Sequence, residues 1–292
     1  MSDLAERILS RLRASEYWTP GTRETATTIQ GLTCPECNQG NAWAYRNEPF
    51  SLNCNRLDKC GARTRTIELF DIRQHIERDH KPTPADPHRP ARAYLESRGL
   101  SKATLAGLPF EYWRNVRKSG SGAVMFPIAT KEGTTVYNGR LFNPPRGDGK
   151  THNRGSTAGL YWMHPGKEYN PDTPTYIVEG ILDALSLLEM GTQAIAVLSS
   201  GQDPKKLNLS PFNVIVPAFD SDNAGKRATR NWGAIFSDLN PIMPPPGRDW
   251  NDILIETPPD ARAARFSKNL ESYHFNARLA LAETAQQYAE LY

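Results

Sequence analysis

Residues 175–222 read TYIVEGILDALSLLEMGTQAIAVLSSGQDPKKLNLSPFNVIVPAFDSD. Short apolar runs at 175–180, 194–200 and 213–220 have the length and composition of buried strands, and ILDALSLLEM at 181–190 has that of a helix. A second helix is expected over Asn223–Asp238. Strands alternating with helices imply a parallel sheet whose ligands gather at the carboxyl ends of the strands. The acidic residues fall at those ends. Glu179 closes the first strand just before Gly180, Asp220 and Asp222 close the third, and Asp249 and Asp252 follow in GRDWNDIL. Such carboxylates supply the oxygen ligands that Mg²⁺ or Mn²⁺ takes, and two ions about 4 Å apart suit phosphoryl transfer. One acidic strand end would be no more than a helix cap, the role open to Asp222 before Asn223. Three in order, in a parallel α/β segment, mark a site.

Upstream, ARAYLESRGLSKATL from Ala91 is helical, with Ser101 placed to cap a second helix after Gly99. GAVMFPIATKEGTTVYNGRLF reads as two strands joined by a turn at Lys131-Glu132-Gly133, and the Gly-, Pro- and basic-rich stretch 143–156 as a loop. KPTPADPHRP at 81–90 holds four prolines in ten residues, which makes it a stiff linker. Downstream, Phe266, Leu270, Tyr273, Ala277, Leu281, Thr284, Tyr288 and Leu291 recur every three or four residues along one amphipathic helix, with Arg262, Arg265, Lys268, Glu271, Arg278 and Glu283 on its wet face. This stripe either packs on the core or docks on a partner. The expected domains are 1–80, the linker 81–90, a basic part 91–172, a parallel-sheet part 173–258 and a helical segment 259–292.

Cys34, Cys37, Cys54 and Cys60, all the cysteines of the chain, lie within 27 residues, with two, sixteen and five residues between successive members. Two knuckles of this kind bring four thiolates to one tetrahedral zinc, and four protein ligands leave no open position, so the metal is structural. Trp43, Tyr45 and Phe50 lie between the knuckles near Arg46, Arg56, Arg63 and Arg65. Aromatic and cationic groups on a zinc ribbon suit stacking with single-stranded bases; the alternative for Trp43 and Phe50 is the ribbon's own small core.

The 292 residues suffice for two or three compact domains. A mean hydropathy of −0.59 without a long apolar run excludes a membrane span, and no signal peptide opens the chain, so a cytoplasmic location is expected. Net charge is only +3 but is unevenly spread. Residues 81–172 carry 14 basic against 7 acidic side chains, while 173–292 carry 10 against 14. A basic middle beside an acidic end suits a polyanion-tracking surface next to a cluster that needs cations.

Glu179-Gly180 and Asp220-x-Asp222 resemble the motifs of the TOPRIM domain, shared by DnaG-type primases, topoisomerases, OLD-type nucleases and RecR proteins. The acidic motif further on in the primases is similar to Asp249–Asp252, with slightly different spacing. Residues 94–100, Val124–Ile128 with Asn138-Gly139-Arg140, and Lys150-Thr151-His152-Asn153 resemble the opening, strand pair and basic loop of the DnaG-type polymerase core. The resemblance runs from Cys34 to about Leu254 and places a zinc ribbon upstream in the primase order. It implies a mixed α/β chain, α+β overall: a small β zinc ribbon, a primase core with a parallel-sheet TOPRIM domain, and a C-terminal helix. It further implies a nucleotidyltransferase that makes short RNA primers on single-stranded DNA, with one structural Zn²⁺ and two catalytic Mg²⁺ or Mn²⁺. Glu179, Asp220 and Asp222 would be catalytic metal ligands, joined by Asp249 and Asp252. Arg140, Lys150, Asn153 and Lys226 would face template and incoming ribonucleotide, with a replicative helicase as a possible partner. Four cysteines and a short tail after the core look more like the primases of phages, plasmids and other mobile elements than like chromosomal ones. The alternatives are a RecR-like DNA-binding scaffold without catalysis and a metal-dependent TOPRIM nuclease. The chain lacks a Walker-type phosphate loop and the room for a topoisomerase's additional domain.

Overall fold

The computed structural model describes residues 3–70, 72–116, 121–144, 149–235 and 240–289. It is a mixed α/β chain divided into two compact units. One comprises Met1–Gly99, Phe110–Met125 and Gly139–His152; the other Leu100–Pro109, Phe126–Asn138 and Asn153–Tyr292.

Helix α1 (Asp3–Arg13) precedes five strands: β1 (Arg23–Glu24), β2 (Thr28–Leu32), β3 (Ala42–Tyr45), β4 (Ser51–Cys54) and β5 (Arg63–Arg65). They form one antiparallel meander in chain order. Leu9 and Leu12 of α1 pack with Ile29, Leu32, Ala42, Ala44 and Leu52 on one face of the sheet. The period of two buries Ala42 and Ala44 and turns Trp43 and Tyr45 to the other face.

Helices α2 (Thr66–Leu69), α3 (Ile72–Asp79) and α4 (Arg89–Ser97) follow. Pro90 stands in the first turn of α4, where its missing N–H costs nothing. Tyr94 of α4 stacks on Phe142 at 4.9 Å.

Ser101 caps α5 (Lys102–Leu105), accepting from the Thr104 N–H, and Gly99 just before it has φ 79°. The strands β6 (Glu111–Val116), β7 (Ser121–Ala129), β8 (Thr135–Leu141) and β9 (Thr151–Arg154) form a sheet in that order, and β7, β8 and β9 each give residues to both units. The turn between β7 and β8 carries Gly133 at φ 77°. The stretch expected as a loop over 143–156 contains β9. An edge strand pairs through its main chain, so this exposed four-residue segment needs no apolar alternation to announce it. Residues 145–148 of that stretch lie outside the described residues.

The remaining elements are β10 (Thr175–Val178), α6 (Ile181–Glu189), β11 (Gln193–Ala196), β12 (Ile215–Pro217), α7 (Asn223–Gly233), α8 (Trp250–Ile255) and α9 (Arg262–Ala289). The three strands form a parallel sheet, order β11-β10-β12, with β10 buried along its length. Ile177, Ile195, Val197, Phe212, Phe219, Ala228 and Trp232 make one core cluster. Helix α7 ends at Gly233, short of the Asp238 expected, and 236–239 lie outside the described residues.

Along α9, Phe266, Tyr273, Ala277 and Ala280 are buried, and Leu270 and Leu281 partly so. Phe266 and Tyr273 pack on Trp250 and on one another, and Ala277 and Ala280 cluster with Met243. The stripe therefore packs on the core through Ala280. The side chains expected at Thr284, Tyr288 and Leu291 lie outside the described residues. Arg262, expected on the wet face, is buried, because its guanidinium pairs with Glu189 at 2.9 Å. Among the described residues no helix is long and apolar enough to cross a membrane.

Gly225, in the first turn of α7, is fixed by its neighbours. A Cβ there would stand 2.0 Å from the carbonyl oxygen of Asp220, a backbone atom that cannot swing away. Gly225→Ala in an open helix would gain about 1 kcal/mol from propensity. Here overpacking should prevail and cost about 2–3 kcal/mol, read from urea unfolding. A stabilised Gly225→Ala protein would mean that α7 does not sit this close to Asp220.

Candidate functional site

The parallel sheet brings the five acidic residues to its carboxyl end. Glu179 directly follows β10, and Asp220 comes three residues after the adjacent β12. The Glu179 carbonyl accepts the Leu198 N–H at 2.8 Å, which fixes the end of β11 beside it. Three of the carboxylates serve helix N-termini. Asp222 caps α7, accepting from the Gly225 N–H at 2.8 Å. Asp249 and Asp252 form a reciprocal capping box at α8: Asp249 accepts from the Asp252 N–H at 2.7 Å, and Asp252 from the Asp249 N–H at 3.1 Å. Both the capping role and the clustering expected from the sequence are therefore present.

Asp220 records the clustering. Its carboxyl is pushed up to about 7, first by burial and then by the negative charges of Asp249, Asp222, Glu179 and Asp252. Among the described residues no three of the carboxylates bring oxygens within 4.8 Å of one another, as the four cysteine sulfurs do. An all-oxygen donor set of excess negative charge nonetheless fits hard divalent cations, since Mg²⁺ keeps several waters and needs few direct protein ligands.

The basic candidates are spread more widely. Lys226, half-buried, sits in the first turn of α7. Asn153 is exposed on β9, and its side-chain oxygen accepts from the Asn138 amide at 2.8 Å. Arg140, half-buried on β8, and the exposed Lys150 belong to the first unit, whereas Asn153, Lys226 and the carboxylates belong to the second.

Sequence reading passed over Gln202, which has no motif to mark it. Its side-chain oxygen accepts the Gly159 N–H at 3.1 Å. Its amide nitrogen donates to the carbonyls of Thr157 and Leu160 at 3.0 Å each and of Val197 at 3.1 Å.

In the first unit, all four cysteine Sγ atoms lie within 4.8 Å of one another, with Cys34–Cys60 and Cys37–Cys54 each at 3.9 Å. Four sulfurs about 2.3 Å from one tetrahedral ion would stand about 3.8 Å apart, whereas a disulfide needs about 2.05 Å. The spacing fits four ligands of one metal ion and not a pair of disulfide bridges. Asn38, at φ 54°, closes the first knuckle; in the wider second one the Arg56 carbonyl accepts the N–H groups of Lys59, Cys60 and Gly61.

Phe50 is buried and belongs to the core, but Trp43 and Tyr45 stand half-exposed, edge to face at 4.9 Å. Register places Gln30, Trp43, Asn53 and Arg63 in one row across the outer face. Arg46 is engaged with Glu24 at 3.1 Å.

The crowding of like charge gives a direct expectation. Asp220→Asn should raise the melting temperature of the metal-free protein by about 2–4 °C, the size of a 1 kcal/mol gain in a chain of this length. Millimolar Mg²⁺ should stabilise the parent protein and have much less effect on the variant. Equal responses to Mg²⁺ in thermal melts would remove the cation from this cluster.

Residues 176–254 match the Toprim-like family. No curated protein matches the chain. Among solved structures, the chain is similar to the zinc-binding and RNA polymerase domains of the Aquifex aeolicus primase, at 16% identity over 99% of this chain and 95% of that one, TM-score 0.46. It is also similar to the primase fragment of the bacteriophage T7 primase-helicase protein, at 16% over 61% and 72%, TM-score 0.43. A third is the RNA polymerase domain of Mycobacterium tuberculosis primase DnaG, at 17% over 67% and 81%, TM-score 0.40. All five carboxylates of the cluster thus lie within the one segment, residues 176–254, that matches the Toprim-like family.

Proposed function

We propose that the protein is a DNA primase, a nucleotidyltransferase that joins ribonucleotides on a single-stranded DNA template. The observation that carries this reading is the gathering of Glu179, Asp220, Asp222, Asp249 and Asp252 at one end of a parallel sheet inside a Toprim-like segment. Cysteines in a ribbon upstream, and the motifs between, support primer synthesis over the other activities such a segment could have.

In this reading Glu179, Asp220 and Asp222, with Asp249 and Asp252, hold two Mg²⁺ or Mn²⁺. Bound there, the ions would supply the charge neutralisation that the attacking 3′-hydroxyl and the leaving pyrophosphate need. Burial of Asp220 keeps its carboxylate from relaxing into water, so its charge is directed at the bound cation. Arg140 and Lys150 track the template phosphates, while Asn153 and Lys226 meet the incoming nucleotide. One Zn²⁺ on Cys34, Cys37, Cys54 and Cys60 holds the ribbon, whose Trp43 and Tyr45 offer stacking faces to unpaired bases.

The test is synthesis of labelled oligoribonucleotides on a single-stranded template with Mg²⁺ or Mn²⁺. Asp220→Ala and Glu179→Gln should each lower the rate about 10³-fold or more while the fold survives. Full activity in Asp220→Ala overturns the assignment. Template degradation instead of synthesis identifies a nuclease, and DNA binding without either reaction a scaffold. Lys150→Ala should lower the slope of log affinity against log salt by about one unit. Elemental analysis should find one zinc per chain, and since a structural zinc is worth roughly 10 kcal/mol or more, chelation should unfold the ribbon. Zinc-free protein with an intact ribbon would refute that part.

A further inference from the structure

The segment from Asn153 near the end of β9 to Trp162 has little further regular structure, yet it is constrained at three points. At its start, Asn138 donates to Asn153 at 2.8 Å. At Gly155 the chain adopts φ 90°, and a Cβ there would stand 2.7 Å from Val136 Cγ1, so only glycine makes this turn without displacing its neighbour. At its end, Trp162 exchanges two backbone hydrogen bonds with Ala196 of β11, at 2.8 and 2.9 Å. Between these anchors Thr157, Gly159 and Leu160 depend on Gln202. A side-chain amide has one oxygen and two N–H groups, and here all are engaged, the two N–H groups being shared among three carbonyls. One of those carbonyls, Val197, immediately precedes Leu198, whose N–H is held by Glu179.

We propose that Gln202 is a positioning residue that fastens segment 153–160, which begins with the nucleotide-facing Asn153, to the end of β11 beside Glu179. The inference rests on the nucleotidyl-transfer reading for what the segment binds, but not for the latch itself. A segment already ordered before the nucleotide arrives loses less conformational entropy on binding, so the latch acts on nucleotide affinity and leaves the chemical step alone. No isosteric replacement reproduces it. Methionine removes all four bonds at nearly constant size. Glutamate keeps the acceptor for Gly159 and sets an oxygen against three carbonyls.

The experiment uses the full chain with Gln202→Met and Gln202→Glu, first checked by circular dichroism. In the parent protein the Gly159 amide should exchange slowly with deuterium; it should become fast in Gln202→Met and stay slower in Gln202→Glu. Tryptic cleavage after the exposed Arg154 should accelerate about tenfold in both variants. In primer synthesis, KM for ribonucleotide should rise about tenfold with kcat within about twofold. If Gln202→Met does not fold, Gln202→Glu and exchange in the parent protein decide. Fast Gly159 exchange in the parent, or unchanged cleavage in both folded variants, overturns the latch. A fall in kcat at constant KM overturns the positioning role. A protein that makes no primers yet shows slow Gly159 exchange and faster cleavage of the variants keeps the latch and overturns the nucleotide reading alone.

Discussion

Repulsion among carboxylates at the end of the parallel sheet is the constraint around which the second unit is organised. Asp220 stands among four other acidic groups and is itself largely removed from water, a combination that opposes folding. The structure meets this with backbone dipoles. Asp222 is set on the N-terminus of α7, and Asp249 and Asp252 on that of α8, where N–H groups and the positive end of the helix dipole favour negative charge. Gly225 then lets α7 approach the Asp220 backbone closely enough for this to work. Short caps and a missing side chain thus accommodate the charge density at this end of the sheet.

The cysteine and carboxylate clusters differ in kind. The cysteine sulfurs already stand at the spacing of a closed tetrahedral shell, framed by turns whose carbonyls and amides are paired. The carboxylates remain further apart and share their oxygens with helix termini. Soft ligands in a closed shell suit an ion that stays for the life of the protein, and loosely spaced hard ligands suit ions that arrive and leave with substrate.

Much of this was legible in the sequence, because its signals are local. TYIVEG, AIAVLSS and NVIVPAFD mark their strands by composition, and the chain order of strand and helix fixes the parallel sheet. Cysteine spacing identifies the four-sulfur cluster without any knowledge of the sheet that frames it. What escaped was non-local or carried by main chain. Strand β9 is exposed and polar, and is defined by its partner strand. Arg262 has the sequence context of a solvent-facing residue and is buried only because Glu189, 73 positions away, awaits it. Gln202 sits in a polar loop and owes its place to backbone groups 42 to 45 residues upstream. Side-chain periodicity contains no trace of such bonds.

The interleaving of the two compact units bears on how such a chain can be inherited. Between residues 99 and 153 the polypeptide passes from one unit to the other five times. A recombination breakpoint between β6 and β9 would sever both units at once, and the fragments on either side would each lack strands of the sheet β6–β9. The cysteine-bearing meander, in contrast, is a single run of sequence that ends before the first passage. Gene exchange can therefore replace the front of this chain as a cassette, while everything between residues 99 and 153 has to travel together.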